Sequence, residues 1–271
     1  MATRSVNLMP SVSSTVAGQT ASLKLIKGMT YERLMIEMVV DDGGTSTPVP
    51  ENAWGTYLGE VRLIVDGDTK IQIDAADLIK LNKFHGQDAE AGVLTLFLSQ
   101  PWARTPGGED QTAYGTLSGI NTFMLEMDIK PGVTVESLEV YALQSPGRPF
   151  GPHLRIQKHS HTQGITGAAE ISDITRGPWV LKGIHFATDA IGKAEIKLDN
   201  RTVHKSSPAI RNSLARVVKK SPQSGFTHID LMMQNRVSDW LPMAVLDFRL
   251  LANFTATGNF RFYTETVRAP D

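Results

Sequence analysis

Leu58-Gly59-Glu60-Val61-Arg62-Leu63-Ile64-Val65-Asp66-Gly67 lies without a gap over Ile191-Gly192-Lys193-Ala194-Glu195-Ile196-Lys197-Leu198-Asp199-Asn200. In each copy apolar and polar residues alternate, which is the pattern of a strand with one buried face. Each copy ends in Asp-Gly or Asp-Asn, the dipeptide type that closes a two-residue hairpin. A helix signal follows each within a few residues. Asp74 stands as a cap before 75–83, and Ser207-Pro208 gives a cap and a first-turn proline for a helix running to about Lys219. Residues 31–38 lie similarly over 179–186. A matched hairpin, helix and preceding strand indicate an internal duplication.

The rest of the chain supports the same division. Strand patterns occur at 31–39, 59–65, 93–98, 123–129 and 133–143, and again at 179–186, 193–198, 226–233, 243–251 and 259–267. Between the two sets stands Ser145-Pro146-Gly147-Arg148-Pro149-Phe150-Gly151-Pro152, a connector that neither strand nor helix can cross. Alternating strands bury one face, so each half closes as two sheets packed face to face. The expected fold is all-β: two tandem jelly-roll β-sandwiches, each with one short inserted helix. The expected division is 1–20 as an extended N-terminal arm, 21–145 as jelly roll 1, 146–152 as linker and 153–271 as jelly roll 2.

Composition narrows the chemistry. The 271 residues include no Cys, which removes thiolate nucleophiles, disulfides and Cys-type zinc sites and suits synthesis in a reducing cytoplasm. Lys and Arg number 27 against 28 Asp and Glu, so a large basic surface that tracks nucleic acid is not expected. The opening stretch lacks the apolar run of a secretory signal, and nowhere do roughly 20 apolar residues follow one another. Phosphate-loop, dinucleotide, zincin and nucleophile-elbow motifs are missing. Ser118, near two Gly, has the wrong spacing for a nucleophile and reads as loop.

The remaining features have mostly structural readings. His159-Ser160-His161 has the i, i+2 spacing of a cupin metal pair, but Ile165 and Thr166 stand where that motif needs Glu. The two histidines therefore read as surface groups of a connector. Asp66-Gly67-Asp68 reads as a hairpin turn rather than a calcium loop, because the matched Asp199-Asn200-Arg201 replaces its second acid by a cation. Asp41-Asp42 with Glu51 forms an acidic loop where a divalent cation such as calcium is conceivable at a subunit contact, with a solvated loop as the plainer reading. Arg211, Arg216, Lys219 and Lys220 read as a solvated cationic face of the second helix. The sequons at Asn200 and Asn253 fall within strand or hairpin patterns, which argues against glycosylation. Trp54 and Trp102 sit in Gly/Pro-rich loops and point to an interface, whereas Trp179 and Trp240 read as structural.

Short phrases then point to a family. Asn7-Leu8-Met9-Pro10-Ser11-Val12, followed by Ala17-Gly18-Gln19-Thr20-Ala21-Ser22-Leu23-Lys24-Leu25-Ile26-Lys27-Gly28-Met29-Thr30-Tyr31-Glu32, resembles the opening of corticovirus-like major capsid proteins. These come from tailless icosahedral bacteriophages with an internal membrane. Residues 189–202, 226–233 and 245–250 are similar to later strands of that family, while 41–56 and 105–116 have no counterpart. The resemblance implies a structural virion protein and not an enzyme. It implies homotrimers of pseudo-hexagonal outline that tile a capsid, made in the host cytoplasm before assembly. Its partners would be itself, vertex (penton) and minor membrane proteins and the internal lipid surface, without sequence-specific nucleic-acid contact. Trp54, Trp102, Asp41 and Asp42 are then candidate subunit contacts, and Arg4, Leu8 and Met9 candidates for a membrane-facing arm. A carbohydrate-binding β-sandwich and a cupin-like metalloprotein are the alternative readings.

Overall fold

A computed structural model describes residues 3–172 and 174–270. The first half runs β1 (Ser5–Leu8), β2 (Thr20–Lys24), β3 (Thr30–Asp41), β4 (Ser46–Pro48), α1 (Trp54–Tyr57), β5 (Leu58–Val65), β6 (Asp68–Asp74), α2 (Ala75–Phe84), β7 (Val93–Phe97), α3 (Pro106–Asp110), β8 (Tyr114–Gly115), β9 (Phe123–Ile129) and β10 (Thr134–Ser145). The second runs β11 (His153–Gln163), β12 (Gly167–Ile171), β13 (Val180–Phe186), β14 (Ile191–Leu198), β15 (Arg201–Ser206), α4 (Pro208–Val217), β16 (Thr227–Asp230), β17 (Leu241–Pro242), β18 (Phe248–Phe254) and β19 (Gly258–Arg268).

The duplication extends to the strand pairing. In the first half β10 pairs β1 and β3, β3 also pairs β7 and β8, β9 pairs β2 and β5, and β5 pairs β6. In the second half β19 pairs β11 and β13, β13 also pairs β16 and β17, β18 pairs β12 and β14, and β14 pairs β15. Every one of these pairs is antiparallel, so β1 to β3 correspond to β11 to β13, and β5 to β10, with α2, to β14 to β19, with α4. The insertions β4, α1 and α3 belong to the first half alone. Each half is a jelly-roll sandwich with its own core, one around Leu34, Ile36, Leu63, Ile73 and Leu125, the other around Ile184, Phe186, Ile196, Leu250 and Phe262.

The hairpins match in detail. Asp66 and Gly67 have φ of +51° and +82°, and Asp199 and Asn200 have +47° and +65°, as a two-residue primed turn requires. Asp66 Oδ1 accepts the N–H groups of Asn121 and Thr122, and Asp199 Oδ1 accepts that of Asp247. In both halves this turn aspartate ties the hairpin to the segment before the next core strand. No cation is needed to explain its place.

Three expectations about the chain's course are corrected. Residues 5–8, placed within an extended arm outside jelly roll 1, form β1, the first strand of the first sandwich, held along β10. The histidines at 159 and 161 are not in a connector, because β11 runs unbroken from His153 to Gln163 against β19. The segment read as strand at 243–251 is strand only from Phe248 onward.

The halves are also joined more tightly than a linker requires. A single nine-stranded sheet crosses from one sandwich to the other, in the order β16-β13-β19-β11-β6-β5-β9-β2, with β17 also paired to β13. Its crossing point is the parallel pair of β6 and β11 at Ile71 and Ile156. The connector is itself packed. A Cβ at Gly147 would strike the Gly28 carbonyl, and one at Gly115 would strike the carbonyls of Arg148 and Pro149. Arg148 donates to the carbonyls of Asp110 and Ala113, both at 2.6 Å.

Candidate functional site: the seam and the outer surfaces

The most unusual chemistry lies where the sandwiches meet. α2 rests on the outward face of β19, β13 and β16, so a face of the second sandwich that looks solvent-exposed in sequence is covered by the first. Asp77 of α2 accepts from Arg261 Nε at 2.6 Å and from Tyr263 Oη at 2.7 Å. Lys158 donates to Asp74 at 2.6 Å and to Glu60 at 3.0 Å, and Arg155 donates to Asp68 at 2.8 Å. Asp74 thus stands at the N-cap position of α2 but spends its carboxylate across the seam rather than on the helix N–H groups. Burial favours protonation of Glu60 and Asp68, yet hydrogen bonds from Arg62 and Lys158, and from Lys70 and Arg155, hold both below the usual carboxylate range.

Deeper in the seam is a cluster of His85, His185, His228, Lys182 and Glu265, all buried. Lys182 is the extra residue of a bulge in β13, which turns its ammonium toward Glu265, 3.7 Å away. Glu265 Oε2 lies 3.3 Å from His185 Nε2 and 3.4 Å from His85 Nε2. His185 and His228 share a contact between their Nδ1 atoms at 2.9 Å. Aromatic rings seal the cluster: Phe84 stacks on His228 at 3.9 Å and Trp102 on His85 at 4.1 Å. Burial pushes His85 down to about 4, with Glu265 only partly opposing. Burial and the neighbouring histidines lower His228. Glu265 would be raised by burial, but Lys182 and His85 hold it well below the usual range. Beside the cluster, buried Lys220 pairs with Asp230 at 2.6 Å.

Several candidate residues fall in places the sequence did not indicate. Trp54 is 1% exposed and belongs to the first core, so it is no subunit contact; a short helix, α1, carries it inward. Trp102 is half-buried and spent on His85 within one chain. Asp41 accepts the Gly44 N–H at 2.6 Å in the turn between β3 and β4, and Asp42 is exposed beside it. Among the described residues, no group of three or more His, Asp or Glu is placed to hold a metal ion. His159 stacks on Phe262 and His161 on Phe254, so the pair is engaged by side chains of its own sandwich.

The N-terminal candidates divide: only Met9 is withdrawn from the surface. Arg4 pairs with buried Glu32 at 2.8 Å and with Asp110 at 3.1 Å. Met9 is buried in the first core, beneath the Tyr31 hydroxyl. Leu8, in β1, is 54% exposed, and Arg4 is exposed as well despite its ion pairs. The cations of the second helix divide. Arg211 is buried and donates to the carbonyls of Ile191, Gly192 and Ser206, Lys220 is buried with Asp230, and Arg216 and Lys219 remain outside.

Two sandwiches of identical strand connectivity, joined by a shared sheet, define the double jelly-roll class of viral capsid proteins. Residues 6–145 match the N-terminal domain of viral coat protein P2 and residues 153–270 its C-terminal domain, and the chain belongs to this viral coat protein P2 family. Its fold is similar to that of the major capsid protein P2 from bacteriophage PM2, at 21% identity over 98% of both chains with a TM-score of 0.87. It is similar also to the STIV major capsid protein, at 11% identity over 99% of this chain and 97% of that one, TM-score 0.69. The PBCV-1 virus capsid shows the same fold at 10% identity over 99% and 95%, TM-score 0.64. No curated protein sequence matches the chain.

Proposed function

We propose that the chain is the major capsid protein of a tailless icosahedral bacteriophage with an internal membrane, and that its working unit is a homotrimer. The observation that carries this reading is the duplication itself. Two sandwiches of one connectivity, locked at a fixed angle, let three chains present six similar units around one axis. A net charge of only −1 suits this, because strong self-repulsion would oppose close packing of many copies. The trimers then tile the shell and meet vertex and minor membrane proteins, with one end toward the lipid. Light scattering on the eluting protein tests the reading. The expected mass is about three times the 29.6 kDa of one chain. Negative-stain images should show particles of hexagonal outline. A mass that stays at one chain at high concentration would refute it.

A further inference from the structure

The contact between the sandwiches has two parts, and the repeat supplies a counterpart for each. The first part is the pairing of β6, an edge of one sandwich, with β11, an edge of the other. β6 corresponds to β15 and β11 to β1. Among the described residues β15 and β1 each have a single sheet neighbour, so both counterpart edges are open.

The second part is α2 on the outward face of β19, β13 and β16. Its counterpart α4 has the same ten-residue length, with Ser207 where α2 has Asp74. Past the ends, Gly86 and Lys219 occupy the same left-handed position, with φ of +73° and +63°. In this alignment Asp77, Leu81 and Phe84 fall on Ile210, Leu214 and Val217. The first three are buried, and Asp77 and Phe84 make the contacts with the second sandwich. The last three are 53%, 39% and 76% exposed. α4 therefore has Arg211 inside and an apolar stripe outside, the reverse of a solvated helix.

The face that α2 covers also has a counterpart, the outward face of β10, β3 and β7. The shared registers, fixed by the matching bulges at Lys182 and Glu32, place His228 on Thr95, Arg261 on Glu139 and Tyr263 on Tyr141. None of these three counterparts is buried, whereas two of the originals are. Glu37 and Glu139 stand directly opposite each other there, both exposed. Like charges so placed destabilise a sheet unless a cation joins them. Arg216 and Lys219, both exposed, flank the apolar stripe of α4.

We propose that α4 of one copy seats on the outward face of β10, β3 and β7 of a second copy, repeating between chains the contact that α2 makes within one. This rests on the homotrimer reading, and three such contacts close a ring of six sandwiches. Because the chain has no Cys, Val217→Cys with Thr95→Cys places the only thiols at the proposed contact. A short bis-maleimide should convert that variant to covalent trimers on denaturing gels, and leave either single variant as monomer. Leu214→Asp with Val217→Asp should lose the trimer and elute as a monomer of unchanged circular dichroism, since both side chains are exposed. If the wild type is trimeric, a trimeric aspartate variant together with absent cross-linking overturns this contact alone. Cross-linking through Val217→Cys by itself would place α4 against α4 and overturn it too. A monomeric wild type overturns the trimer reading and this contact with it.

Discussion

His85 is a histidine kept neutral by its surroundings. In the unfolded chain it binds a proton near the ordinary value of 6.5, but in the folded chain only near 4. Between those values the unfolded state carries more protons, so stability falls as the pH falls from about 6.5 toward 4. From His85 alone the expected loss between pH 7.5 and pH 5 is about 2 kcal/mol. His228, also lowered, adds in the same direction. Glu265 acts in a lower window. Its folded value is depressed, so its contribution is present above the unfolded carboxylate range and is lost as the pH falls through the folded value. Denaturant titrations at pH 5 and 7.5 check this. His85→Gln should flatten the difference between them, and a wild type equally stable at both pH values would contradict the account.

The paired helices show how one element solves the same problem twice with different residues. Both helices end in a left-handed residue, which glycine occupies without strain and lysine does not. Lys219→Gly is expected to stabilise the fold by about 1 kcal/mol. Gly86→Ala is expected to destabilise it by at least as much, because its Cβ would also lie 3.2 Å from the Lys219 carbonyl oxygen. Thermal midpoints of the two variants decide the matter. This duplication was legible in the sequence because hairpins carry a local code: Asp-Gly and Asp-Asn fix the turn, and alternation fixes the flanking strands. β1 was not legible, since its four residues are half-buried or exposed and show no inside-outside contrast. The charged seam was hidden for a related reason. Arg261, Tyr263 and Glu265 alternate with Phe260 and Phe262, and alternation distinguishes two faces without saying what covers the polar one. Lys182 and His185 within the otherwise apolar Val-Leu-Lys-Gly-Ile-His-Phe of β13 were the available signal.

At the scale of the molecule the question is what makes two sandwiches behave as one body. Each has its own core, so each meets the first requirement for unfolding separately. Against that stand the shared sheet and the ion pairs of Asp77, Asp74, Lys158 and Arg155, which exist only while both halves are folded. Buried charges add little net stability over apolar packing, but removing one partner leaves the other exposed to the full cost of desolvation. They therefore specify the angle between the sandwiches more than they strengthen either one. Asp77 is the sharpest case, buried and holding both Arg261 and Tyr263, while Arg261 is 46% exposed and can rehydrate. Asp77→Asn should then cost of order 2 kcal/mol, most of it at the seam. The wild-type protein is expected to melt in one calorimetric transition. Asp77→Asn combined with Lys158→Ala should separate it into two, with the core of each half retained. A single transition in that double variant would mean that the shared sheet at Ile71 and Ile156, rather than the charges, couples the halves. Substituting Ile156→Asp would then be the change that divides them.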